Sequence, residues 1–192
     1  KTKAGELAGA GAQALIIDIR GAAEGPLDNG VAAARPFVQS GTLMIRAGRN
    51  GERKETVEAG PGDGAIALPI QLLVSSGTSG PAEIFAAALR GSRRAELVGE
   101  HTLGRAGLQR LVKLPEGRAL WLTYAQYYRT ATGDQAQDRK TPGTGATPDI
   151  GTGGRPRVAG KIPGAEPING RGLQPDVPVE DAEVGEFGVA RP

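Results

Sequence analysis

Between Pro69 and Leu89 the chain changes character twice within twenty residues. Pro69-Ile-Gln-Leu-Leu-Val-Ser75 holds an apolar run that predicts a strand over 70–75, followed by the small-residue turn that starts Ser76-Gly77-Thr78-Ser79-Gly80. Pro81-Ala82-Glu83-Ile84-Phe85-Ala86-Ala87-Ala88-Leu89 then predicts a helix. Proline suits the first helical position because its missing N–H is one of the unpaired donors there anyway. A second strand, Ala95 to Glu100, and a second glycine-rich turn, His101 to Gln109, complete the block. In α/β enzymes a tight turn between a buried strand and a helix N-terminus holds nucleophiles and anion-binding amides. The same composition also makes an ordinary connection, since glycine and serine relieve steric crowding in any sharp turn. On the residues alone both readings stand.

The flanking sequence supplies further elements. Residues 2–11 form a weak, glycine-diluted helix, and Ala14-Leu-Ile-Ile-Asp-Ile19 has the pattern of a strand buried on both faces of a parallel sheet. Asp28 is placed to cap a helix through Val31 toward Phe37, ended or bent at Pro36. Thr42 to Arg46 predicts a strand, and the polar stretch from Ala47 to Gly64 a surface hairpin or loop. Two more strands, Leu108–Leu114 and Ala119–Tyr124, flank the turn signature Pro115-Glu116-Gly117. Trp121 and Tyr124 are expected to pack in the core or at an interface.

From Gln135 to Arg171 large apolar residues almost vanish, which predicts an extended inserted loop that buries too little to offset chain entropy. Within it Gly151-Thr152-Gly153-Gly154 lacks the strand and helix that a phosphate loop requires, so it belongs to the loop. The expected division is an α/β core of residues 1–134 and 172–179, the insertion 135–171, and an acidic, then glycine-bearing tail 180–192.

Composition removes several function classes. With no cysteine there is no thiolate catalysis, disulfide or Cys-based metal site. His101 is the single histidine, which excludes multi-histidine metal centres. A net charge of +2, from 23 basic and 21 acidic residues, offers no field for nucleic acid. No apolar run approaches the ~20 residues of a membrane-spanning helix. Neither a cofactor nor a metal is expected.

Glu83-Ile84-Phe85-Ala86-Ala87-Ala88 and Gly99-Glu100-His101-Thr102-Leu103-Gly104-Arg105-Ala106-Gly107-Leu108-Gln109 resemble the catalytic segment of the C-terminal processing peptidases, or tail-specific proteases. Those enzymes use a serine nucleophile and a lysine base, within Ser-Ala-Ser-Ala-Ser-Glu and Gly-Glu-x-Thr-Phe-Gly-Lys-Gly-x-x-Gln. The two segments align without a gap. Asp18-Ile-Arg-Gly-Ala-Ala-Glu-Gly-Pro-Leu-Asp28 resembles the family's Asp-Leu-Arg-Gly-Asn-Pro-Gly-Gly-Leu-Leu-Asp, Tyr127 to Gly133 its Tyr-Tyr-Thr-Pro-Ser-Gly, and Gly172 to Val179 its closing Gly-Ile-x-Pro-Asp-x-x-Val.

The resemblance implies a ClpP/crotonase-like α/β core of mainly parallel strands with flanking helices, and no PDZ domain in this chain. It also implies an upstream segment beyond Lys1, on this or an associating chain, and a place in the cell envelope or periplasm. It puts Gly80 at the nucleophile position and Arg105 at the base position, and retains Gln109, which orients the base. Glu24, Gly25 and Pro81 fall where the oxyanion donors lie. Asp18 and Arg20 match, and are expected to pair or to bond loop backbone.

The departures subtract chemistry. Glycine has no atom to attack a carbonyl, arginine does not give up its proton at physiological pH, and proline has no N–H for an oxyanion. The leading expectation is therefore a catalytically inactive homologue acting as a peptide- or protein-binding or assembly subunit. One alternative is an active serine endopeptidase with its nucleophile moved to Ser79, Thr78, Ser76 or Ser75 and Glu83 or His101 as base. Another is a crotonase-like acyl-thioester enzyme, which Pro81 opposes by removing an oxyanion donor. Arg105 is expected to find a carboxylate among Glu24, Glu83 and Glu100, with Glu24 favoured across the former site.

Overall fold

The computed structural model of the protein describes residues 2–48, 52, 54–130 and 162–179. In chain order the elements are α1 (Thr2–Gly9), β1 (Leu15–Asp18), α2 (Asp28–Ala34), β2 (Thr42–Gly48), β3 (Glu55–Glu58), β4 (Ile70–Val74), α3 (Pro81–Gly91), β5 (Ala95–Gly99), β6 (Gly107–Lys113), β7 (Ala119–Thr130), β8 (Ala165–Pro167) and β9 (Val177–Pro178). A parallel sheet has the order β1-β4-β5-β9, with Leu15 beside Ile70, Ile70 beside Ala95 and Val98 beside Val177. A second, antiparallel sheet has the order β3-β2-β7-β6, with β8 added to β7.

Helix α3 joins the two layers. It opens at Pro81 as expected, and every residue from Ala82 to Leu89 is buried. A helix apolar all round belongs inside a core, and α3 packs against β5 of one sheet, β2 and β7 of the other, and α2. Its alanines 86–88 keep the layers close, while Phe85 meets Phe37 edge-on at 6.0 Å. Helix α2 crosses α3 at Gly30, where a Cβ would run into the Pro81 carbonyl oxygen and lie 2.9 Å from Ile84 Cβ.

The α/β architecture with a parallel sheet and flanking helices stands as expected; the antiparallel layer is the part the motifs left unspecified. Several local expectations are corrected. β1 is an edge strand, so Ile16 is 69% exposed instead of buried on both faces. Asp28 is the first helical residue and makes no cap. Its carboxylate instead accepts the Tyr127 hydroxyl and sits 3.5 Å from Arg46. Burial, and then the Asp28 carboxylate, push the Tyr127 hydroxyl above the ordinary tyrosine range, so it stays a neutral donor.

Trp121 and Tyr124 are not core residues: they are exposed on the β6–β7 ribbon, and Tyr127 and Tyr128 further along β7 are buried instead. The ribbon runs past the sheet, whereas residues 127 and 128 lie where β7 pairs β2 and β8. Composition assigned residues 162–171 to the insertion, yet Ile162 and Ile168 are buried and β8 pairs β7 there. Residues 131–161 and 180–192, with the rest of the insertion, the Gly151–Gly154 stretch and the tail, lie outside the described residues. Among the described residues no helix is long and apolar enough to cross a membrane.

Gly30→Ala should test the α2–α3 crossing. A gain in helix propensity is outweighed by overpacking against fixed backbone, so urea unfolding should show a loss of about 1–3 kcal/mol with an unchanged m-value.

Candidate functional site

Strands β1, β4 and β5 are parallel, so the loops that leave Asp18, Val74 and Gly99 emerge at one edge of the sheet. That carboxyl edge is where open α/β sheets place their sites. Short bonds from small side chains tie the loops together. Thr78 Oγ1 donates to the Ile19 carbonyl (2.9 Å) and accepts the Ser75 N–H (3.1 Å). Ser75 Oγ donates to the Arg20 carbonyl (2.6 Å), and the Ser79 N–H reaches Ala22 (3.0 Å). The Leu103 N–H donates to Thr78 (3.1 Å), which brings in the third loop. Asp18, Ile19, Arg20, Gly21, Ala22 and Ser75 line an open groove of about 660 Å³ beside these turns.

Glu83, in the first turn of α3, is the anchor of the arrangement. It is fully buried with no cation beside it among the described residues. Its Oε2 accepts the N–H groups of Gly80 (3.1 Å) and Arg105 (2.7 Å). Its Oε1 accepts the Gly104 N–H (2.6 Å) and the Thr102 hydroxyl. Four donors use the lone pairs a carboxylate offers, and the helix N-terminus favours its negative charge. Thr102 Oγ1 in turn accepts the Leu173 N–H (2.8 Å), so the C-terminal segment is tied to the same carboxylate. Glu83 is thereby a structural clamp, with no lone pair left to take a proton from a serine.

Gly80 has φ +60° and ψ −123°, a conformation that side-chain-bearing residues adopt only under strain. Its Cβ direction is lined by the Ala23 carbonyl (3.3 Å), Leu27 Cδ2 (3.6 Å) and the Arg105 carbonyl (3.8 Å). The loop bearing Gly25 faces Pro81, whose Cγ is 4.0 Å from where a Gly25 Cβ would stand. The structure therefore brings Gly80, Gly25, Pro81 and the backbone of Arg105 together around one point.

The side chains behave differently from the expectation. Arg105 and Glu24 are both exposed and form no ion pair with each other. The predicted Arg105–Glu24 bridge is corrected: residue 105 turns its backbone to the site, and a hydrated guanidinium gains little from pairing at the surface. Gln109 bonds Thr123 on β7 (3.3 Å) and makes no hydrogen bond to Arg105. Ser79 is 1% exposed and Thr78 fully buried, whereas Ser76 and His101 are exposed. No group of histidine, aspartate and glutamate among the described residues could hold a metal.

Asp18 and Arg20 do pair, through bonds of 2.8 and 3.0 Å, with the Arg20 N–H also on Asp18 (3.0 Å). The side-chain bond first, then the backbone one, hold the Asp18 carboxyl down at about 2. The full-chain fold missed by motif reading is the Glu83–Thr102–Leu173 connection; its signal was the polar pair Glu83 and Thr102 inside matched motifs.

Two measurements check this geometry. Glu83→Gln puts an amide NH₂ against backbone donors, and should cost at least about 2 kcal/mol with faster hydrogen exchange at Gly104 and Arg105. A depressed carboxyl favours the folded state above the unfolded value and loses that contribution as pH falls from 3.8 toward 2. In a carbon-13 titration Asp18 should have its midpoint near 2, and Arg20→Gln should return it toward 3.8.

Residues 1–152 match the sequence profile of Peptidase family S41. A carboxy-terminal-processing protease of Bartonella bacilliformis is 33% identical over 135 residues, which is 70% of this chain and 30% of that protein. A carboxyl-terminal-processing protease of Synechocystis sp. is 35% identical over 117 residues, 61% of this chain and 27% of that protein. Among solved structures, a photosystem II D1 C-terminal processing protease superposes with a TM-score of 0.66 and 28% identity, over 91% of this chain and 36% of that one. The chain thus spans about a third of the length of these relatives. With most of its residues under the family profile and its turns laid out on the same fold, the chain belongs to peptidase family S41.

Proposed function

We propose that this S41-family chain binds peptide or protein segments without cleaving them. The observation that carries the reading is the turn at Gly80, which holds a sharp positive-φ backbone open to glycine yet presents no nucleophilic atom. Pro81 offers no N–H beside it, and the Arg105 guanidinium faces solvent. Three of the four candidates for a relocated nucleophile are poorly placed. Ser79 and Thr78 are buried, and the Ser75 hydroxyl is committed to the Arg20 carbonyl. Neither candidate base serves them, since Glu83 is saturated by four donors and His101 makes no hydrogen bond to these serines among the described residues.

Binding does not depend on the missing groups. An extended peptide is held by backbone hydrogen bonds to a sheet edge and by side-chain pockets, none of which needs a serine. The relatives are bacterial and chloroplast processing proteases, and by analogy we place this chain in the cell envelope or periplasm.

A fluorophosphonate probe should leave the purified chain unlabelled and casein should stay intact; strong labelling of Ser75, Ser76 or Ser79 overturns the reading. Restoration should proceed in order. A serine at position 80 would carry backbone strain at φ +60° and set its Cβ 3.3 Å from the Ala23 carbonyl oxygen. Gly80→Ser with Arg105→Lys should remain slow, and adding Pro81→Ala should raise casein cleavage by about 10²–10³. Equal rates for the double and triple variants would show that the oxyanion donors come from elsewhere.

A further inference from the structure

The ribbon of β6 and β7 carries apolar surface that no described residue covers. Leu111, Leu114, Leu120, Trp121, Leu122 and Tyr124 are each 43–66% exposed. The register sets Leu111 opposite Trp121 on one face, and Val112 opposite Leu120 and Arg110 opposite Leu122 on the other. Both faces are therefore apolar, whereas a sheet with one solvated side alternates apolar with polar. β6 also ends its sheet, so the outer row of its N–H and C=O groups has no strand partner among the described residues. Edges of this kind are normally shortened, interrupted by proline or covered. β6 has seven residues and no proline.

Charge narrows the occupant. From Gly107 to Tyr124 the ribbon has Arg110, Lys113 and Arg118 against Glu116, three minus one, a net +2. Arg118 pairs with Glu116, and the Arg110 guanidinium lies over the Tyr124 ring at 5.5 Å. Lys113 has no carboxylate partner among the described residues. Two such ribbons meeting edge to edge would set like charges against each other. A lipid surface would satisfy the charge but leave the edge's backbone groups unpaired in an apolar medium. A strand bearing carboxylates satisfies both.

We propose that the outer edge of β6 is a docking strand for an extended, apolar polypeptide segment carrying carboxylates, which joins the antiparallel sheet as a further strand. Arg110 and Lys113 are three apart and so point to opposite faces, which favours acidic residues three apart with apolar ones between them, beside Leu111 and Val112. β6 starts two residues after Arg105, whose amide is held by Glu83. A segment laid along it therefore leads into the Gly80 turn. This deepens the reading of a peptide-binding subunit, and rests on it only in that the partner is a polypeptide.

The test uses the 192-residue chain and the fluorescein-labelled peptide Leu-Glu-Val-Leu-Glu-Val-Leu, followed by fluorescence anisotropy. Saturable binding in the micromolar range, weakened by salt, is expected. Arg110→Glu with Lys113→Glu, and separately a lysine-for-glutamate peptide, should each weaken it by at least about tenfold. N-methylation of one alternate set of peptide amides should abolish binding while the other set is tolerated, the signature of an added strand. An unchanged thermal melt by circular dichroism shows that the charge variant is folded. Binding indifferent to both charge reversal and N-methylation overturns the β6 site and leaves peptide binding itself intact. No saturable binding up to about 1 mM overturns both. A dimer abolished by Trp121→Ser, or cosedimentation with phosphatidylglycerol vesicles in place of peptide binding, overturns it in favour of those occupants. Fluorophosphonate labelling would sink only the absence of catalysis.

Discussion

A single buried carboxylate holds the loop-bearing edge of the parallel sheet in shape. Glu83 is shielded from water with no cation beside it among the described residues, a state that is costly unless every lone pair is used. It is used: Gly80, Gly104 and Arg105 supply backbone N–H groups and Thr102 its hydroxyl. Charge-assisted bonds of this kind are roughly twice as strong as neutral ones. They fix the start of α3, the turn after β5 and, through Thr102 and Leu173, the segment that leads into β9. Remove the carboxylate and three chain segments lose their common anchor.

That anchor sets the geometry of the site through groups other than the side chains of residues 80 and 105. Backbone amides and one buried side chain set the path of the turns, and none of them is the residue at position 80 or the guanidinium at 105. The strained conformation of Gly80 is imposed by the sharp strand-to-helix turn, where glycine relieves the strain a serine would carry.

The two sheets divide the labour. The parallel sheet and α3 bury most of the core, and present the clustered loops at their carboxyl edge. The antiparallel sheet is anchored to that core through Met44, Tyr127 and Ile168, and through the Tyr127–Asp28 bond to the start of α2. Beyond Ala125 it extends as a two-stranded ribbon. A ribbon of two strands has too little burial to be stable alone, so its order here depends on continuity with β2 and β8.

What the sequence determined by itself was the local grammar. Ile70 to Val74, the small-residue turn, Pro81 at the first helical position and the unbroken apolar face to Leu89 dictate strand, turn and buried helix whatever lies around them, because chain entropy, a missing N–H and hydrophobic spacing act within a few residues. That Gly80 has no side-chain nucleophile, Pro81 no N–H and Arg105 a guanidinium is equally local, since it follows from which atoms those residues possess. Tertiary structure decided the rest. Ile16 and Trp121 have the composition of core residues and are exposed, because burial depends on what another segment brings against a strand. Glu83 has the composition of a surface residue and is buried, because three donors from a turn about twenty residues away meet it beside the Gly80 N–H. Arg105 and Glu24 share a motif-defined neighbourhood yet point into water, because sequence spacing sets the path of a backbone and packing sets the direction of a side chain.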